Sequence, residues 1–351
     1  MTDTERGSTS LTMLPSRGDT PHPDSDPPVG LVKPKPEPSP TLPESPFSIY
    51  TTPQKYFIIL LASIAGAFST LCSYIYYPAL VPISAELNVS ITLVNLTITS
   101  YLLVAAVAPA FMGDMADQSG RRPIYMLMFG LFIGANVGIA LQRSYPALLV
   151  LRMVQSAGSS GLIAVAYGVI ADITTRSERG GYCGIFDLLI QFALSIGPVI
   201  GGSITQQLGW RWIFWFLVIL TSTHFLIMLL FFPETQRRVV GNGSLSTRGV
   251  YRSLFFIFQS SEVKKDTTRA EKPKLSWPNP FACLRTLGNK ESLVVILVYS
   301  LTYAVKMALQ ASLGVQCVEI YQLDYLTAGL IYIPAGVAGA VAAFITGMET
   351  P

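Results

Sequence analysis

Eight apolar runs of about 20 residues constrain this chain more than any other feature, because a helix of that length crosses a bilayer core. They fall at about 56–80, 93–112, 124–142, 147–171, 185–207, 212–232, 292–316 and 326–346. Hydrocarbon offers backbone groups no partner, so a spanning segment must satisfy its own hydrogen bonds as a helix or join a closed barrel. Runs this long read as helices. Charge agrees: 13% of residues are charged and 50% are hydrophobic, against about a quarter charged in a soluble domain. The fold class expected is an all-α integral membrane protein.

The loops orient the spans. Scored alternately for Lys and Arg, one set holds five (before the first run, Lys55 included), two (Arg121, Arg122), two (172–184) and eleven (233–291). The opposite set holds only Arg143 and Arg211. The excess of basic residues puts the N-terminus in the cytosol. Residues 1–52 are rich in Pro, Ser, Thr and Asp and read as a solvated cytosolic tail. No apolar h-region lies near the start, so the first span acts as its own insertion signal. Residues 53–232 then form a six-span bundle, 233–291 a cytosolic linker, and 292–351 two further spans. Within the linker, Tyr251-Arg-Ser-Leu-Phe-Phe-Ile-Phe258 and Phe281-Ala-Cys-Leu-Arg-Thr-Leu287 fit surface-lying amphipathic pieces. A wholly solvated linker fits as well.

Between the second and third runs lies Gly113-Asp-Met-Ala-Asp117-Gln-Ser-Gly120-Arg121-Arg122, read as a tight hairpin at the membrane surface. Gly113 and Gly120 allow close helix approach and a sharp turn. Asp117 is placed to cap a helix end or meet a neighbouring helix.

Charges inside hydrocarbon cost about 2.5–3.5 kcal/mol on insertion scales, so each requires a reason. Arg152, Gln155, Ser156 and Ser159 recur at helical spacing in the fourth run. Snorkelling of Arg152 to the outer surface is one explanation, a helix facing a water-filled cavity the other. Asp187, Gln191 and Ser195 share a face of the fifth run; Tyr299, Tyr303, Lys306 and Gln310 share one of the seventh; Ser69, Cys72, Ser73 and Tyr76 share one of the first. One central cavity would satisfy all four. The fifth run also carries Gly197-Pro198-Val-Ile-Gly201-Gly202, where proline removes a backbone hydrogen bond and glycine permits close approach. His224 reads as a packed or lipid-edge side chain. The four cysteines show no metal-ligand spacing, and only His22 and His224 represent histidine. His-based metal or triad chemistry is thereby nearly excluded, and no cofactor is expected.

With these residues in hand, the chain resembles the major facilitator superfamily over about 53–346. The hairpin is similar to that superfamily's G-x-x-x-D-x-x-G-R-R/K signature. Arg152-Met-Val-Gln155-Ser-Ala-Gly158 resembles the fourth-span R-x-x-Q-G-x-G motif, with Ser156 in place of its first glycine. Gly197-Pro198-Val-Ile-Gly201-Gly202 resembles the antiporter motif G-P-x-x-G-G, with Ala193 where a leading glycine usually falls. Glu178-Arg-Gly-Gly-Tyr182, Leu208-Gly-Trp-Arg-Trp-Ile-Phe-Trp215 and Pro233-Glu-Thr add a likeness to fungal drug:proton antiporters of the quinidine- and multidrug-resistance type. The resemblance implies a complete first six-helix half plus two spans of the second, with the family pattern continuing past Gly347. It implies export of small amphipathic or cationic compounds in exchange for protons, by alternating access, with no enzyme activity.

Carried over by residue, Gly113, Asp117, Gly120, Arg121 and Arg122 form a cytosolic gate. Arg152, Gln155 and Asp187 are candidates for proton coupling, as is Asp114. Gly197, Pro198, Gly201 and Gly202 bend the fifth span and limit leak. Tyr74, Gln191, Tyr299, Tyr303 and Lys306 are candidates for the cavity lining, although an ammonium at Lys306 would repel a cation. Partners are a small-molecule substrate, protons and the lipid bilayer; no nucleic acid or metal is expected, and the unit is taken as a monomer. The plasma membrane is the expected location, the vacuolar membrane the alternative. Against export stands a second reading, a non-transporting membrane relic or regulatory fragment.

Overall fold

The computed structural model describes residues 47–243, 251 and 288–349. Among these, eight helical segments are long and apolar enough to cross a membrane: Thr52–Leu87, Ile91–Ser119, Arg121–Leu141, Tyr145–Ile173, Arg179–Leu208, Arg211–Phe231, Lys290–Glu319 and Tyr325–Ala342. They are called the first to eighth spans below. The 1–46 tail and most of the 233–291 linker, including residues 252–258 and 281–287, lie outside the described residues.

Local chemistry sets the span ends. The first span opens on a capping box of Thr51 and Gln54, with Pro53 in its first turn. Near its far end the helix tightens to a 3₁₀ turn over Tyr77–Ala79, where Pro78 cannot donate to the ladder. Ser90 accepts from the Leu93 N–H and starts the second span. Gly209, at φ +90°, ends the fifth, a conformation that favours glycine. The eighth span is interrupted between Leu330 and Ile333, and its second part, Ile333–Glu349, runs beyond Ala342.

The hairpin is shorter than the sequence reading gives. The second helix continues to Ser119, so Gly113 lies inside it with no atom within 4 Å of a Cβ placed there. Gly120 alone makes the turn, at φ +105°.

The first span packs on the fourth and fifth, the second on the fourth, and the third on the fourth and sixth. Glycines set the closest approaches. A Cβ on Gly158 of the fourth span would meet the backbone of the third, 2.6 Å from Phe132 N and 2.9 Å from Met128 O. Such side-chain-free contacts substitute for a hydrophobic driving force that lipid does not supply. Phe68, Phe129 and His224 form an aromatic cluster in the core, with His224 centred 5.2 Å from Phe68 and 5.7 Å from Phe129. His224 is thus a packed side chain.

The fifth span has a second neighbour, the eighth. Gly201 lies against Ile75 O of the first span, Gly202 against Tyr325 O, and Gly329 against Pro198 O. Gly336 faces Ser195, and Gly339 faces Gln191. The seventh span, by contrast, exposes most of its apolar side chains, among them Val295 at 68% and Leu301 at 70%.

Candidate transport site and end clasp

At the hairpin end, two helices exchange caps. Glu234, 1% exposed, follows the sixth span, and its carboxylate accepts four backbone N–H bonds. Two come from the first residues of the third span, Arg121 (2.8 Å) and Arg122 (3.1 Å), and two from Thr235 (3.0 Å) and Gln236 (2.9 Å). In return the Arg122 guanidinium donates to Phe232 O and Leu229 O, the last carbonyls of the sixth span. An anion at a helix N-terminus and a cation at a C-terminus both complement the macrodipole. Burial pushes the Glu234 carboxyl above the usual carboxylate value, against the pull of the four N–H donors.

Arg121 does different work. It pairs with Asp117 at 2.6 Å and with Asp172 of the fourth span at 3.0 Å, linking the second, third and fourth spans. Its guanidinium lies over Gly168, where a Cβ would come 2.5 Å from Cζ. Segments outside the spans close over this cluster. Tyr50 O–H donates to Glu234 O at 3.3 Å, Tyr251 O–H to Ser119 O at 2.8 Å, and Gln236 to Asp117 O. Lys55 pairs with Glu178 at 2.8 Å. At the other end, Arg211 pairs with Glu86 at 2.8 Å.

Among the described residues, the polar faces of the first and fourth spans meet at Arg152. Arg152, 1% exposed, is enclosed within the first four spans. Its guanidinium stacks between the Tyr76 ring (4.1 Å) and the Tyr101 ring (4.5 Å) and donates to Gln155 Oε1 at 2.6 Å. Gln155 donates to Asn136 Oδ1 at 2.7 Å, which fixes that amide in turn. Two tyrosine faces, rather than a carboxylate, hold this charge. Gln191 and Ser195 are pressed against the eighth span as described. Asp187 accepts from Tyr167 O–H at 2.6 Å.

The first and seventh spans do meet. Tyr74 O–H donates to Gln310 Oε1 at 2.9 Å. Tyr332 of the eighth span donates to Gln310 O at 2.6 Å and stacks on Tyr77, ring centres 6.2 Å apart. Tyr299 and Tyr303 stack on one another at 6.2 Å and remain exposed. Lys306 is half-buried one turn from Tyr303 and Gln310. Beside this contact is an open cavity of about 650 Å³, bounded by Tyr77, Ile98 and Leu102 on one side and Ala304, Met307 and Ala308 on the other.

Sequence reasoning missed Asp172, Asn136 and Glu234 as site residues. Asp172 and Asn136 lie about 50 and 20 residues from their partners in sequence, and no periodicity joins them. Glu234 was visible as an acid directly after an apolar run, but only adjacency of the third and sixth spans gives it four donors.

A multi-pass helical bundle, clasped at one hairpin end and carrying an open, largely apolar cavity between the first two spans and the seventh, has the architecture of a membrane transporter. The description Major Facilitator Superfamily matches residues 62–348, and the chain belongs to that superfamily, a family of transporters rather than enzymes. It is 40% identical over 309 residues to the MFS-type transporter phiD of a fungal species (strain ATCC 74256), covering 87% of this chain and 47% of that protein. It is 36% identical over 328 residues to Citrate exporter 1 of Aspergillus niger, covering 92% and 63% respectively. The chain thus spans about half to two thirds of the length of these curated relatives. Among solved structures, it is similar in fold to a bacterial homologue of the human lysosomal transporter Spinster, with TM-score 0.56, 17% identity, and 84% of this chain and 61% of that one covered. The human organic anion transporter MFSD10 aligns with TM-score 0.54 and 18% identity, over 85% and 73% of the two chains.

Proposed function

We propose that the whole protein exports small amphipathic organic compounds from the cytosol in exchange for protons, by alternating access. The observation that carries this reading is the Tyr74–Gln310 contact beside the 650 Å³ cavity, where the first span meets the seventh. Cavities of a few hundred to 1,000 Å³ suit small organic ligands, and substrate sites of such transporters lie between two sets of spans. Residues 53–232 form the first bundle, 233–291 the linker, and 292–351 part of the second bundle. The basic-residue bias of the loops supports a cytosolic N-terminus, which makes the Glu234–Arg122 clasp and the Asp117–Arg121–Asp172 cluster the cytosolic gate. Asp187, with Tyr167, is the proton-carrying group. Arg152, Gln155 and Asn136 hold the first four spans in register around the path. Gly197, Pro198, Gly201 and Gly202 seal the fifth span against the first and eighth. The working unit is a monomer in the plasma membrane, and the related citrate exporter of Aspergillus niger supports export as the direction.

Reconstitution into vesicles with an internal pH dye tests this. Substrate movement accompanied by counter-movement of protons is expected, with Asp187→Asn keeping substrate exchange but losing its response to a pH gradient. Substrate flux indifferent to the gradient in the unmodified protein would overturn the coupling. Absence of any solute flux would favour the non-transporting reading.

A further inference from the structure

The cavity beside the Tyr74–Gln310 contact has two unlike ends. Tyr74 bonds Gln310 at 2.9 Å, and a Cβ on Gly314 would lie 3.7 Å from Tyr77. The first and seventh spans therefore run side by side toward the end away from the hairpin. Tyr76 bonds Thr97 at 2.9 Å, and the second span runs back from that end toward Ser119. Across the cavity, Asn95 and Thr99 thus stand level with Ser312 and Gln316, and Leu102 stands level with Ala304 and Ala308.

The first level is polar, made of two amides and two hydroxyls, groups that both donate and accept. Asn95 Oδ1 is buried there and has no hydrogen-bond partner among the described residues, a costly state for a polar atom. The terminal torsion of an asparagine is broad, so a turn of the amide brings that oxygen to a donor standing in the cavity. The second level is apolar. Its two alanines leave width for a flat body opposite Leu102, and Tyr77 supplies a ring face. Lys306, by helical spacing, lies on the opposite face of the seventh span from Ala304 and Ala308. A hydroxyl can donate to Asn95 Oδ1 and accept from the Gln316 amide at once, while a ring system fills the alanine-walled end. A volume of about 650 Å³ accommodates both.

We infer that this cavity binds a neutral ring-bearing alcohol or phenol, its hydroxyl at the Asn95–Gln316 end and its ring body between Leu102 and Ala308. The inference rests on the transport reading and adds the class and orientation of the cargo.

The test uses the purified protein in nanodiscs, with empty nanodiscs subtracted, and three probes of one shape: 2-(2-naphthyl)ethanol, 2-ethylnaphthalene and 2-(2-naphthyl)ethylammonium. Isothermal titration is expected to give saturable binding of the alcohol, with the hydrocarbon and the cation at least tenfold weaker. Asn95→Leu is expected to lower alcohol affinity to that of the hydrocarbon, and Ala308→Phe to abolish saturable binding by filling the cavity. Leu309→Phe, on an exposed face, is the control for added bulk and is expected to bind as the unmodified protein does. Equal affinity for alcohol and hydrocarbon overturns the inference. So does tighter binding of the cation, undiminished alcohol affinity in Asn95→Leu or Ala308→Phe, or no saturable alcohol binding up to millimolar concentration. Flux of the alcohol in vesicles separates the two readings. Binding without flux removes the transport function and leaves the site; flux unchanged in both Asn95→Leu and Ala308→Phe removes the site and leaves the transport function.

Discussion

Replacing Glu234 by alanine is the sharpest test of how the hairpin end is built. The substitution deletes a carboxylate that accepts from four backbone N–H groups at 2.8–3.1 Å. Loss of an N-cap acceptor costs about 0.5–2 kcal/mol, and loss of a partly buried anion at a helix N-terminus up to about 2 kcal/mol more. The sum is about 0.5–4 kcal/mol, to which donors left without water in a site only 1% exposed add about 1–3 kcal/mol. Thermal unfolding of the detergent-solubilised protein, followed by tryptophan fluorescence, reads the effect. At roughly 2–4 °C per kcal/mol, the midpoint falls by about 3 °C or more. Glu178→Ala is the control, since its pair with Lys55 is solvent-facing and worth less than about 1 kcal/mol. Arg122→Ala and the double variant Glu234→Ala/Arg122→Ala complete a cycle, in which reciprocal capping makes the two losses less than additive. A Glu234→Ala midpoint no lower than that of Glu178→Ala would refute the reasoning.

Other outcomes follow from the same contacts. Gly168→Leu drives a side chain into the Arg121 guanidinium and is expected to destabilise by about 1–3 kcal/mol, read as a lower unfolding midpoint. Gly113→Ala, in a helix with open space around it, is expected to be neutral or up to about 1 kcal/mol stabilising. A loss of stability there would contradict the placement of the turn at Gly120. Gly158→Ala meets the third-span backbone and is expected to lower the yield of folded protein on size-exclusion chromatography. The hydrogen bond from Lys55 and its charge hold the Glu178 carboxyl below its usual value near 4.5. Its folded value being depressed, the contribution is present above the unfolded value and is lost as pH falls through the folded one. Glu178→Gln should therefore flatten the midpoint-versus-pH curve below about pH 4.5, by a small amount because the pair is exposed.

Span number and approximate bounds were legible in the sequence because length and apolarity alone decide whether a helix can cross hydrocarbon. Bounds shifted where polar residues continue a helix past the apolar run, as Asp114 to Ser119 do in the second span. The hairpin residues were legible as a group, but not their division of labour. Arg121 binds acids and Arg122 binds carbonyls because the helix turns them to different neighbours, the fourth span and the sixth. Helical spacing put Gln191 and Ser195 on one face and Arg152 and Gln155 on another. Periodicity says which residues share a face and nothing about what that face meets. Glycines of the eighth span meet the first pair, and tyrosine rings of the first and second spans meet Arg152.

The seam between the fifth and eighth spans carries a mechanical consequence. Where Gly202 and Gly329 provide the contact, the backbone of one helix bears directly on the backbone of the other, and at Gly336 and Gly339 only the fifth span contributes a side chain, Ser195 and Gln191. Interlocked side chains must change rotamer before two helices can slip, and that requirement creates discrete stops. A surface of bare backbone has few such stops. Small displacements along this seam therefore meet little resistance, and the pair can serve as a bearing while the clasped hairpin end stays rigid.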